Sequence, residues 1–368
     1  MYVQSSNAFY KIEVRTHGGC VPLTWAFTSN TLCTKITRSV PSYHYSFFLK
    51  DTMTENTHRY KAAVIIPSRG GADLLHYPLD ALENQSEKDF QVIVVLDGDI
   101  DNSEALVNRY IAEGKLNLST IVFPENRGRV AALNAGHRAA HADVLIRCDD
   151  DLQPAEDYVA NHIRLHHIYD GVIGTLHNIF PDTPYSRVYG NYRDARFKEG
   201  ATSAKPEDRW VYWNGNSSVS ARFFEKVGGF DPAYRRYGWE DVDMGKMIAD
   251  AGGKITISDE VEVKHYAEAT TTAVRALRAL HSGSARGIFV AKNGDEAHPA
   301  PNPQGAWGLA VKTLARFTNE KTIKMLGDSV DKVLLKLPPQ VAEKLVALQV
   351  EAAAYAGVHY PERAQKIF

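Results

Sequence analysis

The sequence predicts an α/β protein in which a mainly parallel sheet is flanked by helices and followed by a helical C-terminal region. Three observations carry this. Short, wholly apolar runs alternate with runs of helical spacing between Ala62 and Cys148. Two of the apolar runs end in carboxylates, at Asp97 and at Asp149-Asp150-Asp151. Beyond Thr270 the pattern turns helical, with Pro299, Pro301 and Pro303 marking a linker before further amphipathic runs. The expected division is an N-terminal extension over 1–58, an α/β domain over 59–270 and a helical region over 271–368.

Each element follows from local pattern. Residues 1–52 show no sustained period, so two expectations stay open. One is a flexible extension; the other is an over-long start, with Met53 as the native beginning. Ala62–Pro67 is a buried strand, and Leu74–Asn84 a helix. Phe90–Leu96 is the second strand, and Ser103–Glu113 a helix with Ser103 as a candidate N-cap. Leu118–Phe123 is a third strand, Arg129–His141 an Ala-rich helix, and Val144–Cys148 a fourth strand. Such repeats argue a parallel sheet covered on both faces, with ligands beyond the carboxyl ends of its strands. Further on, Trp210–Ser220 suggests strand and loop. Helices are expected over Ala221–Val227 and Glu240–Ala251, and strands over Lys254–Ile257 and Val261–Lys264.

Composition excludes several classes. The 368 residues are 44% hydrophobic and 23% charged, enough for a real core, and the net charge of −2 argues against a nucleic-acid partner. Cys20, Cys33 and Cys148 form no C-x-x-C pair, so a disulfide framework or Cys-rich zinc site is not expected. A reducing, cytoplasmic setting follows, since no run approaches the ~18 apolar residues of a membrane span and no secretory leader is recognisable.

Three consecutive aspartates after an apolar strand repel one another unless a cation or solvent compensates. Hard divalent ions suit such oxygen ligands and bridge to phosphates. A solvated acidic turn would explain the cluster standing alone. It does not stand alone, because Asp97 ends a neighbouring strand and Glu240-Asp241 open a helix.

Four blocks then resemble the nucleotide-sugar-dependent glycosyltransferases of the GT-A fold, a Rossmann-like α/β fold, and family 2 in particular. They are Val94-Val-Leu-Asp97-Gly-Asp-Ile-Asp101, Glu125-Asn-Arg-Gly128 leading to Asn134-Ala-Gly136, the D-x-D motif Asp149-Asp150-Asp151 with Pro154, and Gly228-Gly-Phe-Asp231 followed by Gly238-Trp-Glu240-Asp241. The resemblance covers residues 60 to 270. It implies a metal-dependent inverting transferase acting on a nucleoside-diphosphate sugar, with UDP-sugars favoured, and on a saccharide or lipid-linked acceptor. The residues it places against the donor are Pro67, Arg69, Asp97, Asn134, Asp149, Asp150 and Trp239. It assigns Mn2+ or Mg2+ to Asp151, Asp149 and His265. Asp241 becomes the base that deprotonates the acceptor hydroxyl, and Glu240 holds the acceptor. Plainer readings stand beside these: a partly buried histidine at 265, and carboxylates at 240 and 241 that complement a helix dipole.

The chain departs from the family at Leu96, where many relatives carry an aspartate, and at Ser68-Arg69, where Tyr-Asn is common. Arg127 and Arg129 suit either a diphosphate or plain surface. His137/His141 and His162/His166 have helical i, i+4 spacing but lack the glutamate of a zinc-protease motif, so packing is expected of them. Cys148 reads as a small core residue. Residues 270–368 carry 13 Lys+Arg against 8 Asp+Glu. Within them Trp307, Val311, Leu314 and Phe317 share one helical face, which suits packing on the rest of the chain or on a second subunit, or docking at the inner face of an anionic membrane. Other readings are a catalytically silent sugar-binding module of the same fold and another nucleotide-sugar enzyme. The intact Asp149, Asp151, Glu240 and Asp241 speak against the first, and Pro67-Ser-Arg-Gly-Gly71 is a poor nucleotidyltransferase loop.

Overall fold

A computed structural model describes residues 9–16, 19–26, 58–235, 237–266 and 269–365. Residues Met1–Asn56 and Thr57–Phe368 form two separate units. In the first, β1 (Phe9–Thr16) and β2 (Gly19–Ala26) pair antiparallel. No strand was expected there. The alternation Lys11-Ile12-Glu13-Val14-Arg15 is its signal, too short to register as a sustained period. Met53 lies outside the described residues.

The second unit opens as the pattern predicts: β3 (Tyr60–Ser68), α1 (His76–Glu83), β4 (Phe90–Asp97), α2 (Ser103–Glu113), β5 (Leu118–Phe123), α3 (Arg129–Ala139) and β6 (Ala142–Cys148). Ser103 is the first residue of α2 rather than its cap. Asp101 accepts from both its backbone N–H and, at 2.6 Å, its hydroxyl. Then come β7 (Leu152–Pro154), α4 (Tyr158–Leu165), β8 (Gly171–Asn178), α5 (Asn191–Thr202), β9 (Asn216–Ser220), α6 (Ala221–Val227), α7 (Glu240–Asp250) and β10 (Ile255–His265). Trp210 lies in a 3-10 segment, Pro206–Tyr212, so only the end of the expected 210–220 strand is extended. The two strands expected over 254–264 are one, β10, whose register against β8 shifts between Ser258 and Val263.

The eight strands order as β5-β4-β3-β6-β9-β8-β10-β7. Pairings β5/β4, β4/β3, β3/β6 and β8/β10 are parallel. β9 runs antiparallel between β6 and β8, and β7 antiparallel beside β10, so the sheet is mixed. The apolar strands feed both faces, as a doubly covered sheet requires. Ala62, Val64 and Ile66 pack with Leu79, Val107 and Val159 on one side. Ala63 and Ile65 pack in a cluster with Leu133, Phe223 and Met244 on the other.

Four helices complete the unit: α8 (Thr272–Asn293), α9 (Gly305–Ala315), α10 (Glu320–Asp331) and α11 (Pro339–His359). Phe289 of α8 belongs to the sheet's second core cluster, beside Trp210 and Ile248. α8 and α11 approach at backbone distance, since a Cβ on Gly357 would lie 2.2 Å from the Leu280 carbonyl oxygen. On α9, Val311 and Ala315 are buried and Trp307 Nε1 donates to Glu351 of α11 at 2.8 Å. The apolar face of α9 is thus used for packing, with Phe317 beyond its end exposed. No helix of the described residues is long and apolar enough to cross a membrane.

Candidate active site

A cavity of about 460 Å³ opens at the carboxyl ends of β3, β4 and β6, lined by Pro67, Arg69, Asp97, Asp149, Asp150 and Asp151 among others. Six of the expected donor and metal residues therefore meet in one place. Arg69 donates from its guanidinium to the Asp97 carbonyl at 2.6 Å, tying the first two strand ends together. Ser68 donates its hydroxyl to Asp150 at 2.5 Å. Burial pushes the Asp150 carboxyl up to about 7.

Three donor expectations need correction. Asp97 borders the cavity, but its carboxylate accepts from the backbone N–H groups of Arg127 at 2.6 Å and Gly128 at 2.9 Å. Its work is to fold the loop before α3. Asn134 is buried, and its amide bonds both the N–H and the carbonyl of Phe230, so it clamps the Gly-Gly-Phe-Asp turn instead of facing the donor. Trp239 adopts a left-handed backbone (φ 73°), costly for a bulky residue, and packs at a tilt against Phe289, ring centres 4.9 Å apart, under Arg286. That turns it away from the donor cavity and toward α8.

The centre of the site is a residue the motif comparison passed over. Arg147, on β6, is 1% exposed. Its Nε and NH2 donate to the two oxygens of Asp149 at 2.7 and 2.9 Å, and its NH1 donates to Asp241. One guanidinium thus spans the D-x-D aspartate and the aspartate opening α7. Burial works against the Asp149 anion, but the adjacent Arg147 charge overrides it and holds its carboxyl low. The signal was present in the sequence: a lone arginine inside the apolar run Val144-Leu-Ile-Arg-Cys. Gly215 permits the close approach of the β9 loop, since a Cβ there would fall 2.5 Å from Asp149 Oδ2.

Asp149 was expected to share the metal, yet both its oxygens face Arg147. Among the described residues no three His, Cys, Asp or Glu side chains converge as a cation cluster. Asp151 and His265 do form a pair, with His265 Nε2 3.2 Å from Asp151 Oδ2. Asn178 directs its amide N–H at Asp194 and its oxygen at His265 Nδ1, 2.5 Å away. The imidazole proton therefore sits on Nδ1, leaving the Nε2 lone pair opposed to a carboxylate oxygen. Two acceptors this close favour a proton or a metal ion between them. A carboxylate, an imidazole fixed by an outer amide and the oxygens of a bound diphosphate suit Mn2+ or Mg2+.

Glu240 and Asp241 stand at the N-terminus of α7. The Asp241 side chain is 20% exposed and that of Glu240 only 4%. Burial and the neighbouring Asp241 charge push the Glu240 carboxyl up, and burial raises Asp241 too, against the pull of Arg147. Arg129, 3.7 Å from Glu240, is the nearby cation and covers Tyr237. Asp243, fully buried one turn below, is held by Lys292 of α8 at 2.7 Å, and Lys292 also reaches Asp231 of the Gly-Gly-Phe-Asp turn at 3.1 Å. The histidine pairs lie apart from the site. His137 is buried against Phe224, while His162 and His166 share the Ser218 hydroxyl at 2.8 Å each. Cys148 is a buried core residue.

Residues 63–228 match the family model described as Glycosyl transferase family 2. The chain carries a family 2 glycosyltransferase domain. A second match, over residues 197–271, is to the N-terminal domain of galactosyltransferase. The chain is 30% identical over 236 residues to the validoxylamine A glucosyltransferase of Streptomyces hygroscopicus subsp. jinggangensis, covering 55% of each protein. It is 26% identical over 243 residues to the uncharacterized glycosyltransferase YfnE of Bacillus subtilis, covering 52% of this chain and 61% of that one. It thus spans little more than half the length of these curated relatives. A mannosyltransferase from Pyrobaculum calidifontis, solved with GDP-Man and Mn2+, shares the GT-A fold. The TM-score is 0.55 at 21% identity, covering 82% of this chain and 88% of that one.

Proposed function

We propose that this family 2 chain is a metal-dependent, inverting glycosyltransferase, moving a sugar from a nucleoside-diphosphate donor to an acceptor hydroxyl. The observation that carries the reading is Arg147, which holds Asp241, the more accessible carboxylate of α7, one guanidinium away from Asp149 at the donor cavity.

The donor occupies the cavity between Pro67 and Asp151, with Arg129 adding positive charge beside its diphosphate. A divalent ion held by Asp151 and His265 would neutralise the charge that develops on the leaving diphosphate. Arg147 grips Asp241 Oδ1, which leaves Oδ2 to take the acceptor proton. As the acceptor oxygen bonds the anomeric carbon, the bond from that carbon to the diphosphate oxygen breaks, and its electron pair departs with the nucleoside diphosphate. Attack from the opposite face inverts the centre. Burial makes Asp241 a stronger base than an ordinary carboxylate, while Arg147 keeps it ionised and oriented. Glu240, buried behind it, positions the helix start.

UDP-sugars are the first donors to test, and GDP-mannose the second, because the structural neighbour carries it. A screen for donor hydrolysis across UDP-, GDP- and dTDP-sugars should find at least one that is turned over. EDTA should stop the reaction and Mn2+ or Mg2+ restore it. Full turnover in chelator rejects the metal, and inertness toward every donor and acceptor rejects transfer itself.

A further inference from the structure

Two cavities lie on the acceptor side of the carboxylates. One, of about 350 Å³, is walled by aromatic side chains including Tyr185, Tyr212 and Tyr237. It reaches the reaction centre at three points. Asn178 bonds His265, the backbone beyond Asn214 touches Asp149, and Tyr237 lies under Arg129. The other, of about 650 Å³, runs between α8, α11 and the linker at Pro301. Two residues line both cavities, Arg193 of α5 and Arg275 of α8, and so mark the seam where they join.

The chemistry of that seam is one-sided. The smaller cavity has four basic side chains, Arg193, Lys198, Arg275 and Arg278, against one carboxylate, Asp194. Asp194 already accepts from Asn178. Glu351, the carboxylate of the larger cavity, already accepts from Trp307 at 2.8 Å. Lys198 is paired with Glu262, and Arg286 with Asp295. Among the described residues Arg193 and Arg275 form no ion pair, and the Arg193 guanidinium lies over the face of Tyr189 at 5.8 Å. Two guanidinium groups without an ion-pair partner, the exposed Arg193 and the half-buried Arg275, both on the lining shared by the two cavities, match the oxygens of a phosphate group. The aromatic walls of the smaller cavity match the faces of a sugar ring.

We infer that the acceptor is a phosphate-bearing saccharide. Arg193 and Arg275 bind its phosphate at the seam of the two cavities, and the aromatic cavity presents its sugar hydroxyl to Asp241. This rests on the transferase reading above, but its test requires no turnover. With UDP present, titration of a disaccharide 1-phosphate should show binding at least about tenfold tighter than the unphosphorylated disaccharide. Arg193→Gln with Arg275→Gln should collapse that ratio toward one. Because the ratio is taken within each protein, a partial loss of folded material cancels. A polyprenyl-phosphate-linked saccharide in detergent gives the second arm. Tight binding of both phosphates makes phosphate the recognised group, and tight binding of the lipid-linked one alone assigns it to a lipid carrier. Equal affinity for phosphorylated and neutral saccharides, or a ratio that survives the double substitution, overturns the inference. A failed donor screen beside a preserved phosphate preference would instead reject the transferase reading alone.

Discussion

The two halves of the sheet hold their functional groups by different means. In the first half, β3 to β6, the groups lining the donor cavity are held mostly by partners from that same half, as Asp150 is by Ser68. Asp97 is held by two loop N–H groups, and Asp101 by the residues beginning α2. In the second half, β7 to β10 with α7 and α8, they are fixed by charges and amides from remote segments. Arg147 reaches Asp241 across 94 positions, Asn178 reaches His265 across 87, and Lys292 reaches Asp243 across 49. The donor side is therefore built largely within its own half, with Arg147 as its link to α7. The acceptor side exists only when the whole unit is folded, and its groups should be costlier to disturb.

The most severe break in that comparison is chemical. Asp241→Asn keeps the shape but removes the proton acceptor, so transfer should slow by about 10²–10⁴. Calorimetric titration should show nucleotide affinity little altered, because the donor cavity is built from the other half. Wild-type transfer would move the base to Glu240.

Arg147→Met removes the bridge itself. Two half-buried carboxylates then lose their shared guanidinium, with only the more distant Arg129 charge left nearby, a loss of about 3–5 kcal/mol in stability. Urea denaturation at pH 7 checks this, and acidification toward pH 5 should recover part of the loss by protonating one of the pair. A variant as stable as wild type would show the bridge to be dispensable.

Asn178→Ala frees the His265 ring. Metal affinity in the presence of nucleotide should fall about 10–100-fold, with catalysis recoverable at high Mn2+. An unchanged metal titration would show that the imidazole is not a ligand.

The last prediction concerns pH. Burial holds the His137 ring neutral, with its pKa lowered from 6.5 to about 4, and lowers His162 further. Between those values the unfolded chain binds protons that the folded one refuses. The stability is therefore complete above pH 6.5 and falls as pH drops toward 4, by roughly 1.4 kcal/mol per pH unit for each ring. Melting temperatures from pH 7 to 5 should decline, and His137→Phe should flatten the slope. An unchanged slope in that variant would show that His137 does not contribute.

Legibility followed the same divide. The strands and helices from Tyr60 to Cys148 were readable because each buries on period, and Leu118–Phe123 matches to the residue. α4, β8 and α5 were not anticipated. β9 was legible only as part of the strand and loop expected over 210–220, because Asn216-Ser217-Ser218 are polar side chains buried and satisfied by distant partners such as Tyr158 and His162. Asp149, Asp150 and Asp151 line one cavity, as a strand-end cluster should, but the engagement of Asp149 by Arg147 is a pairing that leaves no local trace. Asn134 and Trp239 lie inside motif blocks yet are engaged by Phe230 and Phe289, because a motif records what a turn needs as well as what a ligand needs.

Lys292 has a practical consequence for anyone trimming the protein. A cut at the apparent end of the sheet domain, near residue 270, would discard α8 and with it the cation that neutralises buried Asp243. It would also strip Phe289 from beneath Trp239. The shortened protein would keep every motif of the family and lose the counter-charge that lets α7 start where it does. Gene boundaries drawn by motif would thus yield an insoluble fragment, whereas one carried through α11 should express as a folded enzyme.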